Sequence, residues 1–139
     1  MVKDIVKDPE QLAKPAEKAT AEDAQVAQDL LDTLASLEEV AGLAANQIGS
    51  DKAVIVYLDD DENPRVMYNP VFKRGLGPMK MLEECVSLDG ESKVTRYARA
   101  MITYDELVDG ELQPQKREFE GFTSQVIQHL IDHCKGKVV

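Results

Sequence analysis

The sequence Gln128-His129-Leu130-Ile131-Asp132-His133 contains both histidines of the chain, four positions apart. An α-helix turns about 100° per residue, so the two imidazoles lie about 40° apart on one face and can bind one metal ion together. In the catalytic pattern His-Glu-x-x-His, the intervening glutamate takes a proton from metal-activated water. Leu130 occupies that glutamate position here. The stretch therefore predicts two metal ligands without the usual base.

Length and charge limit the possible classes of protein. The 139 residues predict a single domain spanning 1–139, with an irregular N-terminal segment over 1–19 that contains Pro9 and Pro15. A formal net charge of −10 argues against binding to nucleic acid or to an anionic membrane. No apolar stretch approaches the roughly 18 residues of a membrane span, so we expect a cytoplasmic protein without a membrane partner.

A helix is predicted over residues 21–38. Thr20 is a suitable N-cap, and Asp23 three positions later completes a variant of the capping box. Apolar residues then recur at helical spacing, which predicts a buried stripe of Val26, Leu30, Leu31, Leu34 and Leu37.

Strands and a second helix follow. Residues 53–58 have the composition of a buried strand, and residues 65–72 and 93–104 are predicted as two more. The histidine helix is predicted over 123–135, with Gly136 as its C′ residue. A helix, several strands and a final helix indicate an α+β fold, in which the histidine helix packs on antiparallel sheet.

A catalytic zinc-type site commonly has three protein ligands, so the two histidines need a third. Cys85 is the candidate, because thiolate with two imidazoles is a known catalytic set. Other interpretations stay open at this point. A lone cysteine is often a small buried hydrophobe, and histidines at this spacing can cap a helix or pair with surface acids.

Three segments resemble, in order and separation, the motifs of the peptide deformylase family. They are Ala41-Gly42-Leu43-Ala44-Ala45-Asn46-Gln47, Glu83-Glu84-Cys85-Val86-Ser87 and the histidine stretch. The family patterns are Gly-x-Gly-Leu-Ala-Ala-x-Gln, Glu-Gly-Cys-Leu-Ser and Gln-His-Glu-x-x-His. The resemblance runs from about Ala21 to the C-terminus. It implies antiparallel sheets around a central metal-binding helix, and a bacterial enzyme that removes the formyl group from the N-terminal methionine of new polypeptides.

The resemblance also implies a cofactor, partners and residue roles. The cofactor is one divalent metal ion, Fe²⁺ by family preference with Zn²⁺ or Ni²⁺ as substitutes, and the partner is an N-terminal formyl-Met peptide, with ribosome-associated nascent chains as its source. The Gln47 amide and the Val86 N–H would stabilise the developing oxyanion. The metal ligands would be Cys85, His129 and His133, and the residues contacting substrate Gly42, Leu43, Glu84 and His129.

The sequence departs from the family motifs at several positions. Val40 stands at the first motif glycine, and Glu84 replaces the glycine before the cysteine. Leu130 replaces the base, whose loss commonly costs about 10²–10⁴ in rate. Cys134 is expected to pack rather than to bind metal.

One further pair is expected to be structural. Asp132 matches an acid common in the family motif, and we expect it to form an ion pair with Arg96.

The sequence thus predicts a deformylase-fold protein that binds a divalent metal but has weak or no deformylase activity. Glu83 or Glu84 could act as a substitute base if its carboxylate reached the water. A binding module for methionine or formyl-methionine peptide ends is one alternative, and a metal-free structural homologue is another.

Overall fold

The computed structural model describes residues 1–84 and 91–137. Its helices and strands confirm the α+β class. None of the helices within these two ranges is long and apolar enough to cross a membrane. The elements, in chain order, are α1 (Pro9–Leu12), a 3-10 helix (Ala21–Asp23), α2 (Ala24–Ser36), β1 (Gly42–Ala44), a second 3-10 helix (Ala45–Ile48), β2 (Val54–Leu58), β3 (Pro64–Glu84), β4 (Glu91–Val108), β5 (Glu111–Glu120) and α3 (Gly121–Cys134).

The five strands form one antiparallel sheet in the order β1-β2-β3-β4-β5. The strand predicted over 53–58 is β2, which is buried along most of its length. The strands predicted over 65–72 and 93–104 are present, but their predicted ranges are too short. In the structure β3 and β4 stay paired as far as Glu84 and Glu91. This extension has no alternating apolar face, and therefore the sequence pattern does not indicate it.

Strand β5 was not predicted. It is the edge strand next to β4, and it carries many charged side chains and Pro114, a composition typical of protected sheet edges. Its connection to β4 is a two-residue turn at Asp109 and Gly110, with φ values of 51° and 82°. A turn of two left-handed residues favours a hairpin.

For the first long helix, the predicted start and the predicted buried stripe are each confirmed only in part. The Thr20 N–H donates to Asp23 Oδ2 at 2.8 Å, and the Thr20 hydroxyl accepts from the Glu22 N–H at 3.2 Å. The capping box leads first into a 3-10 turn, so that α2 begins at Ala24 and is shorter than the predicted 21–38. Leu30 and Leu34 are buried, whereas the other three predicted stripe residues are only half-buried.

The buried apolar residues form two clusters on the two faces of the sheet. One lies between α2 and the sheet and contains Ala19, Ala27, Leu30, Leu34, Leu43, Ala45, Val54, Val56 and Tyr68. The other lies against α3 and contains Ala44, Ile55, Tyr57, Met67, Ala100, Ile102, Phe119, Ile127, Leu130 and Ile131. Alternate residues of β2 thus face the two helices, as the period of a strand requires.

Helix α3 ends as the sequence predicted. Gly136 has φ of 80°, and its N–H donates to the His133 carbonyl at 3.0 Å. The Lys137 N–H donates to the Asp132 carbonyl at 3.0 Å, which completes a Schellman motif. The helix begins two residues earlier than predicted, at Gly121, directly after β5.

The segment 1–19 is more ordered than the irregular chain expected from its two prolines. It contains α1, whose N-cap Asp8 accepts a hydrogen bond from the Glu10 N–H at 3.0 Å. Leu12 and Ala19 are fully buried. The Val6 N–H also donates to the Gln47 carbonyl at 2.7 Å, so the segment packs beside the first motif.

Candidate metal centre and cleft

The two histidines lie on one face of α3, one turn apart. Their Nε2 atoms are 3.1 Å apart, and the His133 side chain is fully buried. Metal to imidazole-nitrogen distances are about 2.0–2.1 Å, so a single ion could contact two nitrogens that lie 3.1 Å apart. The pair could therefore supply two of the protein ligands of one divalent metal ion.

Glu83 fixes the orientation of the first histidine. The Nδ1 atom of His129 lies 2.8 Å from Glu83 Oε1. A carboxylate accepts a hydrogen bond from Nδ1–H, and this tautomer leaves the lone pair of Nε2 directed toward His133. Metal-binding histidines commonly have such a carboxylate partner on the ring nitrogen opposite the metal.

Glu83 is itself held by three further hydrogen bonds from Arg96 and one from Gln125. Arg96 Nη2 donates to Oε1 at 2.8 Å and Nε donates to both oxygens at 3.0 to 3.1 Å, while Gln125 Nε2 donates at 2.9 Å. Burial by itself raises the pKa of the Glu83 carboxyl, but the hydrogen bonds from His129, Arg96 and Gln125 outweigh it and lower that pKa to about 2. The carboxylate is therefore ionised and fixed in place.

The predicted ion pair of Asp132 is confirmed. Arg96 Nη1 donates to Asp132 Oδ2 at 2.6 Å, and both side chains are largely shielded from solvent. One guanidinium thus connects Asp132 on α3 to Glu83 on β3, and through Glu83 it reaches His129. Arg96 and Glu83 couple the histidine helix to the long hairpin.

Gln128 is a site-supporting residue to which the sequence analysis assigned no role. Its Oε1 accepts from the Tyr97 N–H at 2.9 Å, and its Nε2 donates to the Tyr97 carbonyl at 2.8 Å. The last pair between β4 and β5 is Arg99 with Glu120, and Tyr97 lies two residues beyond it toward the N-terminus of β4. The Gln128 amide therefore makes the two backbone hydrogen bonds to Tyr97 that a longer β5 strand would make. The position of glutamine beside the first histidine was the signal that could have identified it.

A cleft of about 550 Å³ opens beside the histidines. Of the residues singled out from the sequence, those that line it together include Gly42, Gln47, Glu83, His129 and Leu130. The Gln47 Oε1 atom accepts from the Ala44 N–H at 2.9 Å. Because the backbone engages the carbonyl oxygen, the amide is oriented with its NH₂ group as the hydrogen-bond donor, the end that the predicted oxyanion role requires.

Leu130 lies at the boundary between the cleft and the core. Its side chain is 2% exposed and belongs to the apolar cluster under α3. A Cβ atom added at Gly42 would lie 2.7 Å from Leu130 Cδ1 and 2.8 Å from the Val56 carbonyl oxygen. Gly42 is therefore needed for strand β1 to approach α3, and Leu130 fills the space where they meet.

The remaining predicted site residues are divided between the cleft, the core and the undescribed segment. Val40 lines the cleft. The Leu43 side chain is fully buried in the cluster against α2, so a peptide could contact this residue only through its backbone. The Glu84 side chain and the residues Cys85 and Val86 lie outside the described residues.

Cys134 packs against the apolar cluster under α3, as expected. Burial raises the pKa of its thiol to about 12. A neutral thiol at this position is a packing group, whereas a metal ligand must be a thiolate.

The described residues alone do not complete a metal site. Within 1–84 and 91–137 there is no group of three or more histidine, cysteine or acidic side chains that could hold an ion. Two imidazoles are present with suitable geometry, and the sequence positions the third predicted ligand, Cys85, two residues after Glu83. Imidazole nitrogens are suitable ligands for a divalent transition metal.

Known proteins match this chain over its whole length. A sequence model described as polypeptide deformylase matches residues 2–139. The peptide deformylase of Clostridium beijerinckii is 41% identical over 140 residues, covering 100% of both chains. A crystal structure of a peptide deformylase from Legionella pneumophila superposes with a TM-score of 0.85 at 28% identity, covering 99% of this chain and 83% of that one.

A second structural match extends the comparison. The class I type b peptide deformylase of Acinetobacter baumannii with Met-Ala-Ser bound superposes with a TM-score of 0.82 at 23% identity, covering 98% of this chain and 96% of that one. At this identity the likeness concerns the fold. Together with the full-length sequence match, it shows that the chain belongs to the peptide deformylase family.

Proposed function

We propose that this protein binds N-terminal formyl-methionine peptides in the cleft beside His129 and hydrolyses the formyl group slowly or not at all. Family members are metal-dependent hydrolases that remove N-formyl groups. The observation that carries the proposal is the position of Leu130. It lines the cleft beside His129, at the motif position of the glutamate base, and it is integrated into the apolar core.

The cation would be held by His129 and His133 with Cys85 as the third ligand. When bound there, it supplies Lewis-acid polarisation of a carbonyl oxygen. Gln47 is suited to donate a hydrogen bond to that oxygen, and we assign the same action to the Val86 N–H by resemblance. Fe²⁺ is the metal that the family resemblance favours, with Zn²⁺ and Ni²⁺ as substitutes.

Hydrolysis also requires an acceptor for the proton of the attacking water. A hydrocarbon side chain can neither accept that proton nor hydrogen-bond the water, so Leu130 leaves this step without help. The missing general base corresponds to about 10²–10⁴ in rate.

Glu83 is poorly placed to replace the base. Its carboxylate contacts Nδ1 of His129, on the side of the ring opposite the Nε2 atom that faces His133. Moving it would break its bonds to Arg96 and Gln125, and a carboxyl with a pKa of about 2 is a weak base near neutral pH. Its geometry supports a positioning role for Glu83.

Binding of a peptide is favoured by the sheet edge at the cleft. Strand β1 is the terminal strand of the described sheet, and Gly42 in it lines the cleft. An extended peptide can add to such an edge through backbone hydrogen bonds. The Acinetobacter baumannii relative was crystallised with Met-Ala-Ser bound, which has the N-terminal methionine of the proposed ligand but not its formyl group. Retention of the cleft without the base therefore favours the binding-module alternative over a metal-free structural homologue.

The test measures three quantities on one preparation. Metal content is measured after purification without chelator, binding of formyl-Met-Ala-Ser by calorimetry, and formate release by a coupled assay. We expect about one metal ion per chain, measurable binding and turnover at least 100-fold below that of a deformylase with the glutamate. Turnover equal to that of such an enzyme would overturn the proposal that hydrolysis is slow or absent. Absence of binding would overturn the proposal that the protein binds formyl-methionine peptides.

A further inference from the structure

A second hollow adjoins the cleft. It also measures about 550 Å³, and it lies between α2, the end of β2 and the start of α3. The two spaces share one wall, formed by Glu39, Val40, Ala41 and Phe122. The far side of the second hollow is mainly apolar and includes Leu31, Leu37, Leu58 and Pro64.

Phe122 stands between the two spaces and is 67% exposed. Leu82 on the other side of the cleft is 66% exposed. Single exposed apolar residues are common on protein surfaces, but a ring shared by two adjoining hollows exposes apolar surface to both. A ligand passing from one hollow to the other would cover the Phe122 ring.

Both spaces carry negative charge. Glu38 and Glu39 line the cleft, and Glu39 and Glu62 line the second hollow. Among the described lining residues of the two hollows there is no lysine or arginine. The electrostatic complement of this surface is a ligand with a positive charge near its apolar part.

The distance along α3 from His129 to Phe122 can be compared with the length of an extended peptide. Phe122 precedes His129 by seven residues of helix, which corresponds to about 10 Å at 1.5 Å per residue. An extended peptide advances about 3.3 Å per residue, so about three residues cover that distance. A peptide whose first residue lies beside His129 therefore brings its fourth residue to Phe122.

We propose that the second hollow binds the fourth residue of the same peptide when that residue is apolar, and that Glu39 and Glu62 favour a basic fifth residue. This inference rests on the proposed function, because it requires the peptide terminus to occupy the cleft. It extends the proposed peptide selectivity from the N-terminal methionine to the fourth and fifth residues. The occupant is the continuation of one polypeptide, since the two hollows share a wall.

Calorimetry with three formylated pentapeptides tests the proposal. They are formyl-Met-Ala-Ser-Leu-Lys, formyl-Met-Ala-Ser-Leu-Glu and formyl-Met-Ala-Ser-Ser-Ser. Partial burial of one leucine and one favourable charge contact correspond to about fivefold to tenfold in affinity. We therefore expect the Leu-Lys peptide to bind at least fivefold more tightly than the Ser-Ser peptide, with the Leu-Glu peptide between them or weaker.

Two variants connect this preference to the second hollow. Glu62→Lys reverses a charge on its rim, and Ala35→Gln places a larger side chain at its α2 wall. We expect each to reduce the preference for Leu-Lys at least threefold. The matched control is Glu111→Lys, an exposed position on the edge strand at the other end of the sheet, which should leave all three affinities unchanged.

The outcomes separate this inference from the proposed function. Equal affinities for the three pentapeptides, or a preference that survives both hollow variants, would overturn the role of the second hollow while the cleft assignment stands. Absence of binding by every formylated peptide would overturn the proposed function and this inference with it.

Discussion

Leu130→Glu restores the missing carboxylate at the edge of the cleft, and its effect on activity can be derived from the structure. The side chain lies one helical residue after His129 and lines the same cavity, so a glutamate there can reach water beside the metal site. We expect formate release to rise by about 10²–10⁴ relative to the unmodified chain. We also expect a loss of about 3 kcal/mol in the free energy of unfolding, since Leu130 is 2% exposed and packs in the core.

The matched control is Leu130→Gln. It has nearly the same shape as the glutamate variant and also places a polar group in the core, but it cannot accept a proton near neutral pH. Steady-state assays with formyl-Met-Ala-Ser on metal-replete protein, with thermal melts and metal analysis, separate a catalytic gain from unfolding. Equal rates for the glutamate and glutamine variants, with the fold and metal intact, would refute the proposal that Leu130 limits deformylase activity.

Three further substitutions test the supporting structure. Gly42→Ala should destabilise the fold by about 1–3 kcal/mol, because its Cβ would lie within 3 Å of both Leu130 Cδ1 and a backbone oxygen; an unchanged denaturant midpoint would contradict this packing. Glu83→Gln should weaken metal binding by about 10–100-fold in a competition titration with a chelating dye, because His129 loses its charged partner. Arg96→Met should lower the free energy of unfolding by about 3–5 kcal/mol, because the buried Glu83 carboxylate loses its cation and the partly shielded Asp132 carboxylate loses one ion pair; a loss below 1 kcal/mol by urea denaturation would show that the pairs are solvated.

The fold was predictable from the sequence where residue patterns are local. The capping box at Thr20, the buried strand over 54–58 and the glycine that ends α3 each depend on neighbouring residues, and each is confirmed. Strand β5 was missed because an exposed edge strand has no apolar alternation. Its turn at Asp109 and Gly110 was nevertheless a usable signal, since this residue pair favours hairpins with two left-handed residues.

The candidate site was predictable in its helical part. Four-residue spacing alone places His129 and His133 together. The motif indicated a structural role for Asp132, but it did not specify Arg96 as the partner, which the structure confirms. The contact of Glu83 with His129 crosses 46 residues of sequence and depends on the register of the long hairpin, which no local pattern specifies. The predicted roles of Cys85 and Val86 stay predictions, because both lie outside the described residues.

The Gln128 contact with Tyr97 has a consequence for how this protein can change over evolution. Helix α3 starts directly after β5, and one of its side chains pairs with the backbone beyond the end of that strand. An insertion or deletion between residues 120 and 128 would shift this amide out of register and rotate both imidazoles away from the cleft. Diversification here is therefore expected to proceed by exchange of single side chains, with the length of the segment preserved.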